Sequence, residues 1–499
     1  MRKMIYTALA LAGAVFILLS TVNCYAQNLF NNTFDYVGEP EFGWSISIND
    51  DSTFSVASSG ESQFFNVGVL YWRFTSQGNF ELFQNYFMTG NDVYPGLSHT
   101  MKQLSHGEYF LAGGVNEYDT LDQDVVVLKV DSEGNQIFFK SIETGNFDAA
   151  YNSTLLSDNG FALTGFTYPD SLTLSNLLLM KVDSSGNYLW HKSYGSEKAD
   201  IGLQVSEWTE NRIITSGVRK YTLTNYAPWV LITDSAGNIL KEKEWNTGAL
   251  YCGGGNLKLT LDQQFYMWGC LDTVITPGNY EYPRYVAKMD TNFNFLWEII
   301  YDKVNPHAIY IVKQVEDSSF VLVGFEDEEY NFSPLGWIAK VDKNGNKLWE
   351  HTYKYGNSTF NYFSDFQQTA DKGFIITGST NGPSSQDVWL VKLDSMGCLN
   401  PNECFTGDLT VEVNDQNDFR IAPNPAFNQT NIVYNIAQRN SKAEFVISDL
   451  TGSEIVYRAV DAYNDAETFD VSLWQQGVYF CSLFIDRQFI KSEKFVVMK

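Results

Sequence analysis

Basic side chains are scarce in this 499-residue chain: 33 Lys and Arg stand against 59 Asp and Glu, a formal net charge of −26. A surface of that sign repels nucleic-acid phosphates and anionic membranes, which excludes nucleic acid as a partner. Histidine (5) and cysteine (6) are few as well, and none has the spacing of zinc ligands. Beyond the N-terminus no apolar run is long enough for a membrane helix. The familiar catalytic signatures are missing too. There is no Gly-x-Ser-x-Gly elbow, no His-Glu-x-x-His pair, no phosphate-cradling loop, and too little arginine for a sialidase-type cluster. Scattered carboxylates select no glycosidase pair. No catalytic residue, metal ligand or cofactor is assigned.

Apolar residues make up 44% of the chain and aromatics 15%, which is enough for a large core. The acidic excess reads as solubility outside the cell. The N-terminus agrees: Arg2 and Lys3 precede an apolar run from Ala8 to Leu19, then Cys24-Tyr25-Ala26. That order is a secretory signal peptide over residues 1–26, cleaved after Ala26. Six cysteines fit an oxidising compartment. Cys398 and Cys404 bracket a short loop and are placed to close as a disulfide. Cys252 and Cys270 are a second candidate pair, and Cys481 has no evident partner.

Periodicity carries the fold. The segments Val125–Asn135, Leu177–Asn187, Gly336–Asn346 and Val388–Gly397 repeat one pattern: an apolar run, then Asp-x-x-Gly. Weaker copies run from Val69, Val230 and Val286, making seven in all. The turn glycines are Gly78, Gly134, Gly186, Gly237, Gly345 and Gly397, and Phe293 stands in the equivalent slot of the fifth copy. Short apolar runs bounded by Asp, Asn and Gly are strands joined by hairpins, the Asp capping the turn and the Gly taking positive φ. In the fifth copy Asn292 or Asn294 is expected to take that conformation. A second landmark, clearest at Asp158-Asn-Gly and Asp371-Lys-Gly, also recurs seven times. Four strands per repeat of fifty-odd residues make one twisted sheet, and such sheets bury their faces by packing radially. The expected fold is all-β: a seven-bladed β-propeller over residues 27–405, followed by a small immunoglobulin-like β-sandwich. Trp190, Trp297 and Trp349, with His191 and His351, recur on the outermost strand and are read as inter-blade packing. His99, His106 and His307 join no catalytic constellation. The seventh repeat ends without an outer strand, so residues 29–37 are expected to supply it.

Residues 406–418 read as a linker, after which the repeat vanishes. The end of the chain carries Pro423-Asn424-Pro425, an Asp-x-x-Gly turn closing at Gly452, Gly477-x-Tyr479 before a strand, and Lys494 with Lys499. Residues 419–499 thereby resemble the type A C-terminal sorting domain of the type IX secretion system. The resemblance implies passage through the inner membrane by the N-terminal signal, and recognition of the folded tail by secretion machinery at the outer membrane. The cargo is then released or held at the cell surface. The repeats resemble those of large surface proteins with the same tail.

Function is expected on the variable loops that follow the second strand of each repeat, since a rigid scaffold displays such loops for binding. Tyr168, Tyr221, Tyr226, Tyr280, Tyr282 and Tyr330 lie in them, and exposed aromatics stack on sugars or anchor a protein partner. Asp92, Asp148 and Asp200, with Glu41 and Asn361 in register, are read as turn caps where each blade begins. The expected role is binding or adhesion toward a carbohydrate or protein. The alternatives are a polysaccharide hydrolase or lyase, and a structural surface-layer component.

Overall fold

The computed structural model describes residues 29–497 except 37, 63–65, 98, 118–121, 146, 170–173, 196–198, 210, 221–225, 246–249, 277–278, 282–283, 302–307, 328–332, 383–384, 400–417, 423–425, 427–428, 437–441, 451 and 461–463. Of 106, 250–254, 270–276, 279–281, 327, 418, 420, 422, 435 and 464–466 it describes the backbone alone. Residues 1–28, with the expected signal peptide, lie outside the described residues.

The repeats fold as antiparallel four-stranded meanders. In the clearest one, Phe147–Leu155, Phe161–Tyr168, Asn176–Val182 and Tyr188–Tyr194 pair in sequence order. The inner strands are buried on both faces, as expected for a sheet sandwiched between like sheets, and the last is mostly exposed or half-buried. Glu41–Ile48 to Phe80–Tyr86 and Ala308–Gln314 to Lys347–Tyr353 repeat this arrangement. Two further meanders, Asp200–Thr209 to Ile239–Glu244 and Leu250–Leu259 to Phe295–Tyr301, touch through the single pair Tyr226↔Tyr251. One sheet differs: its first strand is split into Asn91–Pro95 and Lys102–Gln103, both on Tyr109–Glu117. The last three strands, Asn361–Gln368, Phe374–Asn381 and Gln386–Leu393, receive Phe30–Phe34 from the other end of the chain, in register from Phe30↔Lys392 to Phe34↔Val388. The sheets form a β-propeller.

Packing between sheets recurs at four junctions. There the third residue of a fourth strand covers the hairpin turn of the next repeat. A Cβ on Gly186 would meet Phe138, on Gly237 Trp190, on Gly345 Trp297, and on Gly397 Trp349. These turns therefore need glycine twice, for positive φ and for the ring lying against them. Phe30 of the N-terminal strand lies in the same way on Gly78. His351 joins this framework, its Nε2 3.1 Å from the Met396 carbonyl. In the fifth repeat Phe293 itself takes φ +67°, where the sequence pointed to Asn292 or Asn294. The Asp290 carboxylate accepts from the Asn292 and Asn294 amides at 2.8 and 2.9 Å and so places φ > 0 on the residue between them. The Phe293 ring is 4% exposed and stacks on Phe265 at 5.1 Å. That burial, about 3 kcal/mol for a large apolar ring, outweighs a left-handed backbone cost of about 1–2 kcal/mol.

Residues 418–497 form two further sheets. One holds Asp418–Ala422, Gln429–Asn435 and Asn464–Asp470, and the other Glu454–Val460, Ala443–Asp449, Gly477–Ile485 and Gln488–Val497. Phe419 and Tyr434 of the first pack on Phe445 of the second, within one core that also buries the free Cys481.

Candidate functional site

The first strand of each propeller sheet runs into a hairpin, and its register on the second strand identifies equivalent positions. Lys102 opposes Phe110, Lys258 opposes Tyr266 and Lys313 opposes Val321. The other repeats hold Ser47, Thr154, Ser206 and Gln367 there. In six of the seven first strands a bulge precedes this position, for example between Phe363 and Asp365. Such a bulge re-aims the side chains that follow it.

These lysines come from sheets far apart around the molecule, yet they act on the same carboxylate. Asp365 is fully buried. Its Oδ1 takes the Lys313 ammonium at 2.7 Å and the Phe366 amide at 2.8 Å. Its Oδ2 takes the Ile46 amide at 3.1 Å, the Ser45 hydroxyl at 3.2 Å and His99 Nδ1 at 3.3 Å. His99 arrives through the interruption that splits the first strand of its sheet. Leu97 N–H donates to the Tyr151 carbonyl at 2.8 Å, His99 N–H to Trp44 at 3.3 Å and Met101 N–H to the Ser45 hydroxyl at 3.2 Å. This stretch bridges three sheets, with His99 at φ +61°, and carries the imidazole onto a fourth. Lys102 Nζ donates to the His99 carbonyl at 2.6 Å. Lys258 makes neither an ion pair nor a hydrogen bond among the described residues.

Three ammonium groups thus share one carboxylate at the centre of an acidic protein. Burial, repulsion by Lys102 and repulsion by Lys313 push Lys258 well below the usual lysine range. Burial lowers Lys102 to about 7, the attraction of Asp365 only partly opposing it. Burial and the neighbouring lysines hold His99 neutral well below its ordinary value. For Asp365 burial acts against the charge, but Lys313 and His99 prevail and keep it far below the usual carboxylate range. One layer along the strands, Asn152 is 1% exposed and neither atom of its amide has a hydrogen-bond partner among the described residues; Gln204 Oε1 lacks one too. A cleft of about 220 Å³ opens beside Lys313, lined also by Leu261, Gln314, Phe366 and Gln367. The arrangement can bind an anion. Both oxygens of Asp365 are taken by cations and amides, so it is neither a free base nor a nucleophile.

Tyr168 and Tyr226 lie elsewhere. Tyr168 opposes Phe147, at the far end of the strand from Thr154, about 23 Å away at ~3.3 Å per residue. Tyr168 is half-buried, edge-on to Phe147 and Phe166 at 5.6 and 5.8 Å. Tyr226 is half-buried, with Lys220 Nζ 5.2 Å from its ring centre. Tyr280 lies in the short strand Asn279–Glu281; its side chain, and Tyr221, Tyr282 and Tyr330 entirely, lie outside the described residues. Two of the polar residues where blades begin brace neighbouring sheets: Asp92 accepts from Val67 N–H at 2.8 Å, and Asn361 donates to the Pro334 carbonyl at 3.0 Å. Cys398 is buried and disulfide-bonded; Cys404 lies outside the described residues, as do the side chains of Cys252 and Cys270. The lysine site escaped the sequence reading because single lysines at one phase of three repeats look like solvated charges.

In the C-terminal sheets, Gly452 takes φ +81° in the turn that Asp449 caps. Gly477 opens a strand, and Tyr479 is buried, its hydroxyl donating to the Gln475 carbonyl at 2.7 Å. Lys494 is exposed on the last strand. Pro423, Asn424, Pro425 and Lys499 lie outside the described residues. Among the described residues no helix is long and apolar enough to cross a membrane. Residues 420–498 match the family described as secretion system C-terminal sorting domain. No curated protein matches the chain.

Among solved structures the chain is similar to an α-L-arabinanase of Penicillium chrysogenum, at 10% identity and TM-score 0.40, over 62% of this chain and 95% of that one. It is similar to the β-propeller domain of the Trilobed protease of Pyrococcus furiosus, at 9% and 0.40, over 74% and 99%. A third is PorZ, a surface component of the type IX secretion system of Porphyromonas gingivalis, at 8% and 0.24, over 92% and 81%. Likenesses this remote carry no argument about ligand or reaction. The C-terminal segment is a sorting domain of the type IX secretion system, and the propeller that precedes it is cargo exported to the cell surface or released from it.

Proposed function

We propose that this exported propeller is a binding protein whose central site takes the acidic group of a saccharide. The observation that carries the reading is the surplus of lysine over carboxylate around Asp365, with Lys258 unpaired among the described residues. Buried cations without counter-charges are costly, and a carboxylate, sulfate or phosphate on a ligand supplies the missing charge with charge-assisted hydrogen bonds. The cleft beside Lys313 gives such a group a place at the same end. A hydrolase reading is disfavoured, because glycoside cleavage needs two carboxyl groups facing each other across a bond and the one carboxylate here is fully engaged.

The reading includes the architecture. Seven blades account for the sheets, with Phe30–Phe34 as the outer strand of the last. Residues 1–26 are the signal peptide, 27–405 the propeller, 406–418 a linker and 419–499 an immunoglobulin-like sandwich. A Cys398–Cys404 bridge pins the chain where it leaves the ring. The loops with Tyr168, Tyr221, Tyr226, Tyr280, Tyr282 and Tyr330 are the competing binding surface, and one experiment separates the two. The exported chain is applied to an array of neutral and acidic glycans. Acidic glycans are retained, and Lys258→Met weakens them about 10- to 100-fold, the equivalent of one charged hydrogen bond at ~1.5–3 kcal/mol. Because Lys102 loses its proton near 7, affinity declines as pH rises past that value. Binding indifferent to acid groups, or abolished by Tyr280→Ala with Tyr282→Ala and untouched by Lys258→Met, moves the site to the tyrosine face.

A further inference from the structure

The junction where the ring closes holds a second unbalanced cluster, of opposite sign. Glu41 opens the first strand of the first sheet, Asp387 lies on the third strand of the last sheet, and Asp35 follows the N-terminal strand. One carboxylate oxygen from each lies within 4.8 Å of the others. Glu41 is 0% exposed and Asp387 2%. Among the described residues neither oxygen of Glu41, nor Oδ1 of Asp387, has a hydrogen-bond partner of good geometry; the Tyr36 backbone beside Glu41 and the Thr33 hydroxyl beside Asp387 only partly favour their charged forms. Asp35, exposed to solvent, uses Oδ1 to accept from Gly38 N–H at 2.6 Å.

The same position is satisfied in three other repeats. Asp92 accepts a backbone amide of the preceding sheet, Asp200 pairs with Arg219 at 3.3 Å, and Asn361 both donates to Pro334 and accepts from the Tyr355 amide at 3.1 Å. Asp148 accepts from the Thr144 hydroxyl and keeps Oδ1 without a hydrogen-bond partner among the described residues. Only at the closure, among the described residues, do three carboxylates each bring an oxygen within 4.8 Å of the others. Burial, then Asp35, raise Glu41 to about 8, and burial with Asp35 raises Asp387 to about 6. Buried like charges at this distance need a counter-charge. All three ligands are hard oxygens, both Glu41 oxygens are available for bidentate contact, and exposed Asp35 leaves an entry path. Such a donor set suits calcium.

We propose that Asp35, Glu41 and Asp387 hold a divalent cation of the calcium class, which latches the N-terminal strand to the first and last sheets. The test uses the full exported chain at constant ionic strength. CaCl₂ raises the thermal midpoint across roughly 0.1–1 mM, the affinity range of extracellular calcium modules, and EDTA reverses the rise. Calorimetric titration with calcium gives one site, which Asp35→Asn, a surface change that spares the core, weakens at least tenfold. Glu41→Gln melts at one temperature with or without calcium. A wild-type midpoint equal in CaCl₂ and EDTA overturns the proposal, as does calcium binding unchanged by Asp35→Asn. A midpoint that rises as pH falls from 8 to 6 and ignores calcium assigns the junction to a shared proton instead.

Discussion

Asp365 shows what one residue does when three strands around it carry a lysine toward it. Its carboxylate takes the Lys313 ammonium and four neutral donors, the His99 imidazole among them, so its charged form is held more strongly in the folded state than in the unfolded chain. Because the folded value is depressed, the stability it contributes is present above the unfolded carboxyl value, about 3.9. It is lost as pH falls through the folded value. Asp365→Asn preserves the shape but leaves Lys313, still bonded to the Phe366 carbonyl, without its counter-charge, which costs up to about 3–5 kcal/mol. Urea unfolding at pH 7 measures that loss, and the variant shows less acid sensitivity than wild type below pH 4. Equal stability of the two proteins at pH 7 removes Asp365 from the centre of the network.

At the scale of elements, the Phe30–Phe34 strand decides whether the ring is closed. It pairs along Gln386–Leu393 and covers that edge. Its Asn31 accepts from Trp389 Nε1 at 2.6 Å, and Phe30 lies on the Gly78 turn of the first sheet. Removing residues 29–36 bares a strand edge buried on its other faces, a template for pairing between chains. It also deletes Asp35. The truncated protein is expected to form oligomers on size-exclusion chromatography and to melt at a lower temperature, where the full chain runs as one species. A monomeric truncation of unchanged midpoint would show that the strand is dispensable.

For the whole molecule, the sorting tail and the propeller divide the labour: one folds around its own core, the other carries the site. Deleting residues 419–499 is expected to trap a folded propeller in the periplasm, detectable by cell fractionation and surface proteolysis. Normal display of the truncation would refute the sorting role. Much of this was legible from residues alone, because the signals are local. An Asp-x-x-Gly turn, an alternating run, or a Tyr479 beside Gly477 states its geometry within a few residues. That is why the repeats, the hairpins and the tail were readable, and why the one misread turn was Phe293, whose backbone is set by a ring packed on residues far along the chain. The lysine site and the acidic junction were not legible. Lys102, Lys258, Lys313 and Asp365 are separated by tens to hundreds of residues, as are Glu41 and Asp387, and each looks like a solvated charge in its own segment. Sequence by itself determined the strands, their turns and the address on the tail. Only the closing of the sheets into a ring decided which charges meet, because Coulomb interactions act across space while turn chemistry acts along the chain.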